Sequence, residues 1–326
     1  MSHPSDRILS ADWGTSRLRL QLVRSDPFTV LAEVSADLGI ARVFDAWQAA
    51  GSPEDREGFF LRALAPEVDR LQSDLPGVPM VISGMASSTI GLRELPYAPV
   101  PFHLAGEALP IARIPPRILP CETVLVSGVC SEDDIMRGEE TILLGLAEMG
   151  VGDGLYLLPG THSKHVEVQD RVLKRFRTYL TGEMFALLRD HSVLRSCLQA
   201  NSAPNEAFLE GVREAASGAN LLREAFALRA RSVLHKTPPE AIGQRLSGLL
   251  IGAELRDLIP VVADGRPIHL AASEPLLGSY QEALRCLGLA EQVRPIPPAE
   301  LARAVILGHH QILDSIFKQQ LPETAF

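Results

Sequence analysis

A strand, a turn of small residues and a second strand follow one another twice in this chain. In the first copy, residues 8–13 are largely apolar and carry Asp12 near their end. Gly14, Thr15 and Ser16 then form a turn, after which Leu18, Leu20 and Leu22 alternate with Arg17, Arg19 and Gln21. Alternation at period two marks a strand with one buried face. In the second copy, the apolar residues 155–158 run into Pro159, Gly160, Thr161, His162, Ser163 and Lys164. Val166 and Val168 then alternate with His165, Glu167 and Gln169, and residues 172–180 read as a partner strand. The two Gly-Thr pairs lie a little under half the chain apart. An ordinary hairpin turn explains either pair alone, but shared flanking alternation points to an internal duplication, with a period too long for a solenoid. The chain has 326 residues, and single hydrophobic cores stop growing at about 250–300. Two similar lobes are expected, residues 1–150 and 151–326, hinged in the glycine-rich stretch 150–154.

Further elements fill in both halves. Strands are expected over 29–34, 78–82 and 123–127, and helices over 54–72 and 139–148. The proline-rich stretch 95–120 reads as extended loop. After residue 180 helical periodicity dominates, over 181–193, 204–216, 218–234, 240–257, 275–287 and 298–318. Strands at 268–272 and 293–296 interrupt it. Strands interleaved with helices in both halves mean an α/β architecture with sheet cores.

Composition narrows the function classes. Formal net charge is −9 and no run of Lys or Arg occurs, so the basic footprint of a nucleic-acid binder is missing. Cys121, Cys130, Cys197 and Cys286 make no Cys-x-x-Cys pair and no zinc spacing; they read as buried reduced thiols. His162, His165, His309 and His310 suggest no metal site. There is no secretory h-region near the N-terminus and no apolar run of about 18 residues. A cytoplasmic protein without membrane contact is expected.

The chain lacks the P-loop, dinucleotide, zincin and serine-hydrolase signatures. It offers instead two turns rich in N–H and hydroxyl donors. Gly14 with Thr15 and Ser16, and Gly160 with Thr161, Ser163 and Lys164, can bring backbone close to phosphate. Asp12 stands beside the first turn. A carboxylate there needs a cation between itself and a phosphate, and Mg²⁺, held through water, suits it; a turn-capping aspartate is the plainer reading. Acidic residues cluster before the hinge at Glu132, Asp133, Asp134, Glu139 and Glu140. They could furnish a base for a hydroxyl, or simply start a helix whose dipole favours them.

Together these residues resemble a known family. The strings Asp12-Trp13-Gly14-Thr15-Ser16, Ser83-Gly84-Met85, Met136-Arg137-Gly138-Glu139-Glu140-Thr141, Leu158-Pro159-Gly160-Thr161-His162-Ser163-Lys164, Arg177-Thr178-Tyr179-Leu180-Thr181-Gly182-Glu183 and Leu246-Ser247-Gly248-Leu249-Leu250-Ile251-Gly252-Ala253-Glu254 look like those of the 2-dehydro-3-deoxygalactonokinases, over nearly the whole chain. That family belongs to the superfamily of sugar kinases, heat-shock ATPases and actin. The resemblance implies two ribonuclease-H-like lobes with an interlobe cleft that takes ATP and a sugar acid. It implies Mg²⁺-dependent transfer of phosphate from ATP to the terminal hydroxyl of 2-dehydro-3-deoxy-D-galactonate.

Residue by residue, Asp12, Gly14, Thr15 and Ser16 match the first phosphate motif, and Gly160, Thr161, Ser163 and Lys164 the second. Glu139 falls at the catalytic carboxylate, with Asp134 in reserve. Ser83, Gly84 and Met85 look like part of the sugar pocket, and Arg137 and Arg177 are candidates for the substrate carboxylate, since Arg forks hold such groups best. One departure stands at residues 269–275, His-Leu-Ala-Ala-Ser-Glu-Pro, where the superfamily's adenosine motif carries glycines; Gly248 and Gly252 on the preceding helix could still admit the nucleotide. A phosphatase or polyphosphate hydrolase on the same frame, and a non-catalytic nucleotide-binding regulator, are the alternatives. A homo-oligomer is compatible with the sequence.

Overall fold

The computed structural model describes residues 6–51, 56–71, 75–106, 109–199 and 203–318. Residues 54, 55 and 72, at the ends of the expected 54–72 helix, lie outside them, as do residues 1–5 of the N-terminal stretch. The chain forms two compact units. The first takes residues up to Gly152, 171–173 and those from Ala302 onward; the second takes 153–170 and 174–301.

In the first unit β1 (Arg7–Trp13), β2 (Leu18–Arg24) and β3 (Thr29–Ala36) form an antiparallel meander. Helices α1 (Ile40–Ala49) and α2 (Arg56–Asp69) follow, then β4 (Met80–Gly84). The proline-rich stretch holds β5 (Ala98–Pro99), β6 (Phe102–His103) and β7 (Ile111–Ile114), three short strands where extended loop is expected from sequence. Scattered prolines interrupt them at two to four residues, too short for an alternating pattern to register. Strand β8 (Thr123–Val126) and the small hairpin of β9 (Val129–Cys130) and β10 (Ile135–Met136) precede α3 (Glu139–Glu148). The main sheet runs β3-β2-β1-β4-β8-β7, with β4 parallel to both β1 and β8. Trp13, Leu20, Phe60, Leu64, Val68 and Ile82 are buried together in its core.

The second unit opens on β11 (Gly154–Leu158), β12 (Ser163–Gln169) and β13 (Val172–Tyr179). Helices α4 (Thr181–His191), α5 (Glu206–Ala216), α6 (Leu221–His235) and α7 (Pro239–Arg256) follow. Then come β14 (Ile268–Ala271), α8 (Leu276–Cys286), β15 (Val293–Ile296) and α9 (Pro298–Lys318). Its strands are ordered β15-β14-β11-β12-β13, with β11 antiparallel to β12 and parallel to β14. Read from the meander outward, this is the order β3-β2-β1-β4-β8 of the first unit. The duplication expected from the two Gly-Thr turns is thus a duplication of sheet topology.

Helix α1 was not expected from the sequence. Its N-cap is Gly39, which has no side-chain cap, and no acidic residue stands in its first turn, so the usual start signals are missing. Tertiary contacts supply the cap instead: the N–H groups of Ile40 and Ala41 donate to the carbonyls of Gly14 and Thr15 at 3.0 and 3.2 Å. All four cysteines are free thiols, and burial pushes Cys121 up to about 11. Among the described residues no helix is long and apolar enough to cross a membrane.

Candidate functional site

In the first unit the candidate residues converge at the C-terminal ends of β1 and β4. The parallel register sets Asp12 beside Ser83 and Trp13 beside Gly84. Gly84 has φ of 86°, and a Cβ there would lie 2.8 Å from the Trp13 carbonyl oxygen. Only glycine fits both the conformation and the space. Gly138, with φ of 100°, brings the start of α3 against Gly84; its own Cβ would stand 3.4 Å from the Gly84 Cα. These two glycines carry α3, and with it Glu139, to the end of β1.

Burial pushes the Asp12 carboxyl above the ordinary carboxylate range; Arg19, its cross-strand neighbour, opposes this, and Glu139 adds to it. Glu139 Oε2 accepts the Arg137 N–H at 3.1 Å. Glu140 is fully buried and accepts the Gly138 N–H on both oxygens, at 2.9 and 2.8 Å, with Thr141 Oγ1 at 3.1 Å. Burial, and then the charge of Glu139, push Glu140 up to about 8. Asp134 is placed elsewhere, in the turn between β9 and β10, where Oδ1 accepts the Ile135 N–H at 2.7 Å.

Arg137 differs from the reading as a substrate-carboxylate anchor. Nε donates to the Tyr97 hydroxyl, Nη1 to Ser87 Oγ at 2.6 Å and Nη2 to the Leu95 carbonyl at 3.0 Å. The guanidinium also lies 3.9 Å from the centroid of the Tyr97 ring. Each nitrogen of the fork makes one of these bonds, so Arg137 secures the short helical turn Met85–Ser87 against the 95–97 segment. Ser83 is buried, whereas Met85 is half-buried at the start of that turn.

In the second unit the turn after β11 is held as the turn after β1 is. Ala41 N–H meets the Thr15 carbonyl in one unit, and Glu183 N–H meets the Thr161 carbonyl at 3.0 Å in the other. A glycine permits each approach. A Cβ on Gly39 would come within 2.2 Å of Thr15 O, and a Cβ on Gly182 within 2.4 Å of Gly160 O. By contrast, a Cβ on Gly14 would meet only Arg17 O at 3.5 Å, and one on Gly160 only His162 O at 4.0 Å. Neither has a positive φ.

Ser163 and Lys164 point inward. Ser163 is fully buried and donates to Glu254 Oε1 at 2.7 Å; Lys164 is buried and donates to the His162 carbonyl at 3.1 Å. Gly160 and the exposed Thr161 are therefore the members of the second turn that face outward. Gly248 and Gly252 also differ from expectation. A Cβ on them would strike Phe208 O at 2.0 Å and Val212 O at 2.5 Å, so both serve the close packing of α7 on α5. Arg177 is exposed on β13, beside the Tyr179 hydroxyl.

Next to Gly160 lies a cavity of about 710 Å³ within the second unit, inside the ~300–1,000 Å³ range of small-ligand sites. Phe185, Leu250, Ile251 and Leu276 make it largely apolar, while Gln244, Ser247 and Ser279 offer polar atoms. The altered stretch around Glu274 and Pro275 forms part of its wall. Beneath it Glu254 is buried among Ser163, His165, Thr181 and Tyr280. Burial alone would push the Glu254 carboxyl up, but hydrogen bonds from His165, Thr181 and Tyr280 outweigh it and hold the group below its ordinary range. Gly39 and Gln244 fall outside the strings that mark the family, whereas Gly182 and Glu254 stand within them with no role assigned by sequence. The one available signal was a carboxylate set in an apolar helical run, Leu249 to Leu255.

Asp12 and Glu139 are hard oxygen ligands close enough to interact, which suits Mg²⁺ bound through one or two carboxylates and waters. Among the described residues no group of three His, Cys, Asp or Glu side chains forms a dedicated metal cage.

Two sheets of one strand order, each with a glycine turn after its first strand pinned to a helix start, define the ribonuclease-H-like fold of actin-like ATPases and sugar kinases. Within that class the chain belongs to the 2-keto-3-deoxy-galactonokinase family, whose family model matches residues 12–307. It is 32% identical over 288 residues to the 2-dehydro-3-deoxygalactonokinase of Escherichia coli, covering 86% of this chain and 90% of that one. A crystal structure of a candidate 2-dehydro-3-deoxygalactonokinase from Sinorhizobium meliloti superposes with a TM-score of 0.79 at 28% identity, covering 95% and 99% of the two chains.

Proposed function

We propose that this protein is a sugar-acid kinase that transfers the γ-phosphoryl group of ATP to the terminal hydroxyl of 2-dehydro-3-deoxy-D-galactonate, giving the 6-phosphate, in galactonate catabolism. Family membership supports the reaction. The observation that carries the site is the contrast among glycines. Gly14 and Gly160 have room for a methyl group and ordinary backbone, so the fold does not require glycine there. A ligand approaching the backbone does.

In this reading the first unit holds the sugar acid, at Ser83, Gly84 and Met85, and the second holds the nucleotide, its base in the apolar cavity and its phosphates at Gly160 and Thr161. Gly14, Thr15 and Ser16 hold phosphate from the first unit. Asp12 would hold Mg²⁺, which when bound would supply charge neutralisation on the phosphates. Glu139 accepts the proton of the terminal hydroxyl as its oxygen forms a bond to the γ-phosphorus; the bond from that phosphorus to the bridging oxygen breaks and ADP leaves. The backbone N–H of Arg137 fixes the carboxylate of Glu139 for this role.

A coupled assay of ADP release with Mg-ATP tests the proposal. It compares the galactonate compound, its gluconate epimer and no acceptor, with Glu139→Gln alongside. Release that needs the galactonate compound and falls by about 10²–10⁴ in the variant is expected. Release without an acceptor would replace the kinase with a hydrolase. No release from any mixture would leave a nucleotide-binding regulator.

A further inference from the structure

We propose that Glu254 is the positioning residue of the nucleotide cavity: an ionised carboxylate, remote from the chemistry, that sets the spacing of the three segments around the bound nucleotide. The assignment rests on the reading of that cavity as the nucleotide site.

The two oxygens of Glu254 divide four donors evenly. Oε1 accepts from Ser163 Oγ at 2.7 Å and from His165 Nε2 at 2.9 Å; Oε2 accepts from Thr181 Oγ1 at 2.5 Å and from the Tyr280 hydroxyl at 2.6 Å. An ionised carboxylate only accepts, so Nε2 of His165 carries the proton. The donors come from separate elements. Ser163 opens β12 directly after the turn that carries Gly160 and Thr161. Thr181 is the first residue of α4, the helix that takes up that turn through Gly182 and Glu183. Tyr280 belongs to α8, which follows the Gly-poor stretch after β14. Thr181 and Tyr280 line the cavity, as does Gly160; Glu254 itself lies behind them, 2% exposed.

Burying one unshared carboxylate is costly unless its lone pairs are filled. Here they are filled by two groups of the cavity wall, Thr181 and Tyr280, and by two from the strand that follows the Gly160 turn, Ser163 and His165. Moving any one of the three segments breaks a bond to a buried charge, the kind whose loss costs most. The turn, α4 and α8 therefore shift together or not at all. This supplies rigidity at the point where the superfamily's adenosine glycines are replaced by Ala271, Ala272 and Ser273.

The test is Glu254→Gln. Glutamine keeps the shape but turns one oxygen into a donor, facing two groups that now donate. Binding of a non-hydrolysable ATP analogue is measured by calorimetry on the full chain, together with KM for ATP and for the sugar acid. Analogue binding weakened about tenfold or more, with KM for ATP raised to match and KM for the sugar acid held, is the expected result. Tyr280→Phe removes a single donor and keeps the ring in place. It is expected to show a smaller shift in the same direction, and it decides the question if Glu254→Gln does not fold. Wild-type binding matched by every folded variant overturns the role of Glu254 alone. Failure of the wild-type protein to bind the analogue overturns the nucleotide reading of the cavity and this assignment with it.

Discussion

Gly160 has space for a methyl group, 4.0 Å from its nearest neighbour, and Gly182 has none, with the Gly160 carbonyl 2.4 Å from where a Cβ would sit. The two changes to alanine should therefore part company. Gly160→Ala should unfold within about 0.5 kcal/mol of the parent yet lose kcat/KM for ATP by about 100-fold, since an added methyl group displaces the phosphate by around 1 Å. Gly182→Ala should lose stability first. Urea unfolding alongside steady-state kinetics separates the cases. Glu140 makes a second prediction. Burial and the Glu139 charge raise it from 4.5 to about 8 in the folded protein, so it is neutral there and ionises on unfolding. Its contribution to stability is full below its unfolded value and is lost as pH rises through the folded one. The urea midpoint should accordingly fall as pH rises from about 4.5 to about 8 and level off above that, and Glu140→Gln should flatten that fall.

At the scale of elements, the repeated device is a strand, a turn and the helix start that holds it. Strand β2 was legible from the alternation at its start, where Leu18 and Leu20 are buried while Arg19 between them is exposed; β4, β8 and β11 are buried on both faces and were legible as short apolar runs. The turns were legible as Gly-Thr pairs. Helix α1 was not, because its first N–H groups are satisfied by the Gly14 and Thr15 carbonyls rather than by a capping side chain. Gly39 is the price of that arrangement. Gly39→Ala places a Cβ 2.2 Å from Thr15 O and should cost about 1–3 kcal/mol in urea unfolding. It should also reduce activity through the displaced turn.

At the scale of the whole molecule, the chain does not divide at one point. The helix α9 belongs from Ala302 onward to the first unit. There Gly145 meets the Ala304 backbone and Gly308 meets the Thr141 backbone so closely that no Cβ fits at either. Ala304, Ile306, Ile312 and Ile316 are buried on that helix. Deleting residues from 302 onward should thus melt the first unit and spare the second. Both tryptophans, Trp13 and Trp47, lie in the first unit. Their emission should shift to longer wavelength in the shortened chain, while the second unit keeps its resistance to proteolysis.

The sequence alone determined what depends on neighbours along the chain: the period-two strands, the repeated turn, the helical second half and the strings that mark the family. The resemblance carried by those strings implied Glu139 as the catalytic carboxylate. What each polar group touches was decided only by tertiary structure, since donors and acceptors far apart in sequence meet when strands pair. Arg137 reads as a free cation until Ser87, Leu95 and Tyr97 surround it. Gly248 and Gly252 read as room for a nucleotide until α5 fills that room. Glu254 stood in an apolar run without meaning until Ser163, His165, Thr181 and Tyr280, from three other elements, converged on its two oxygens.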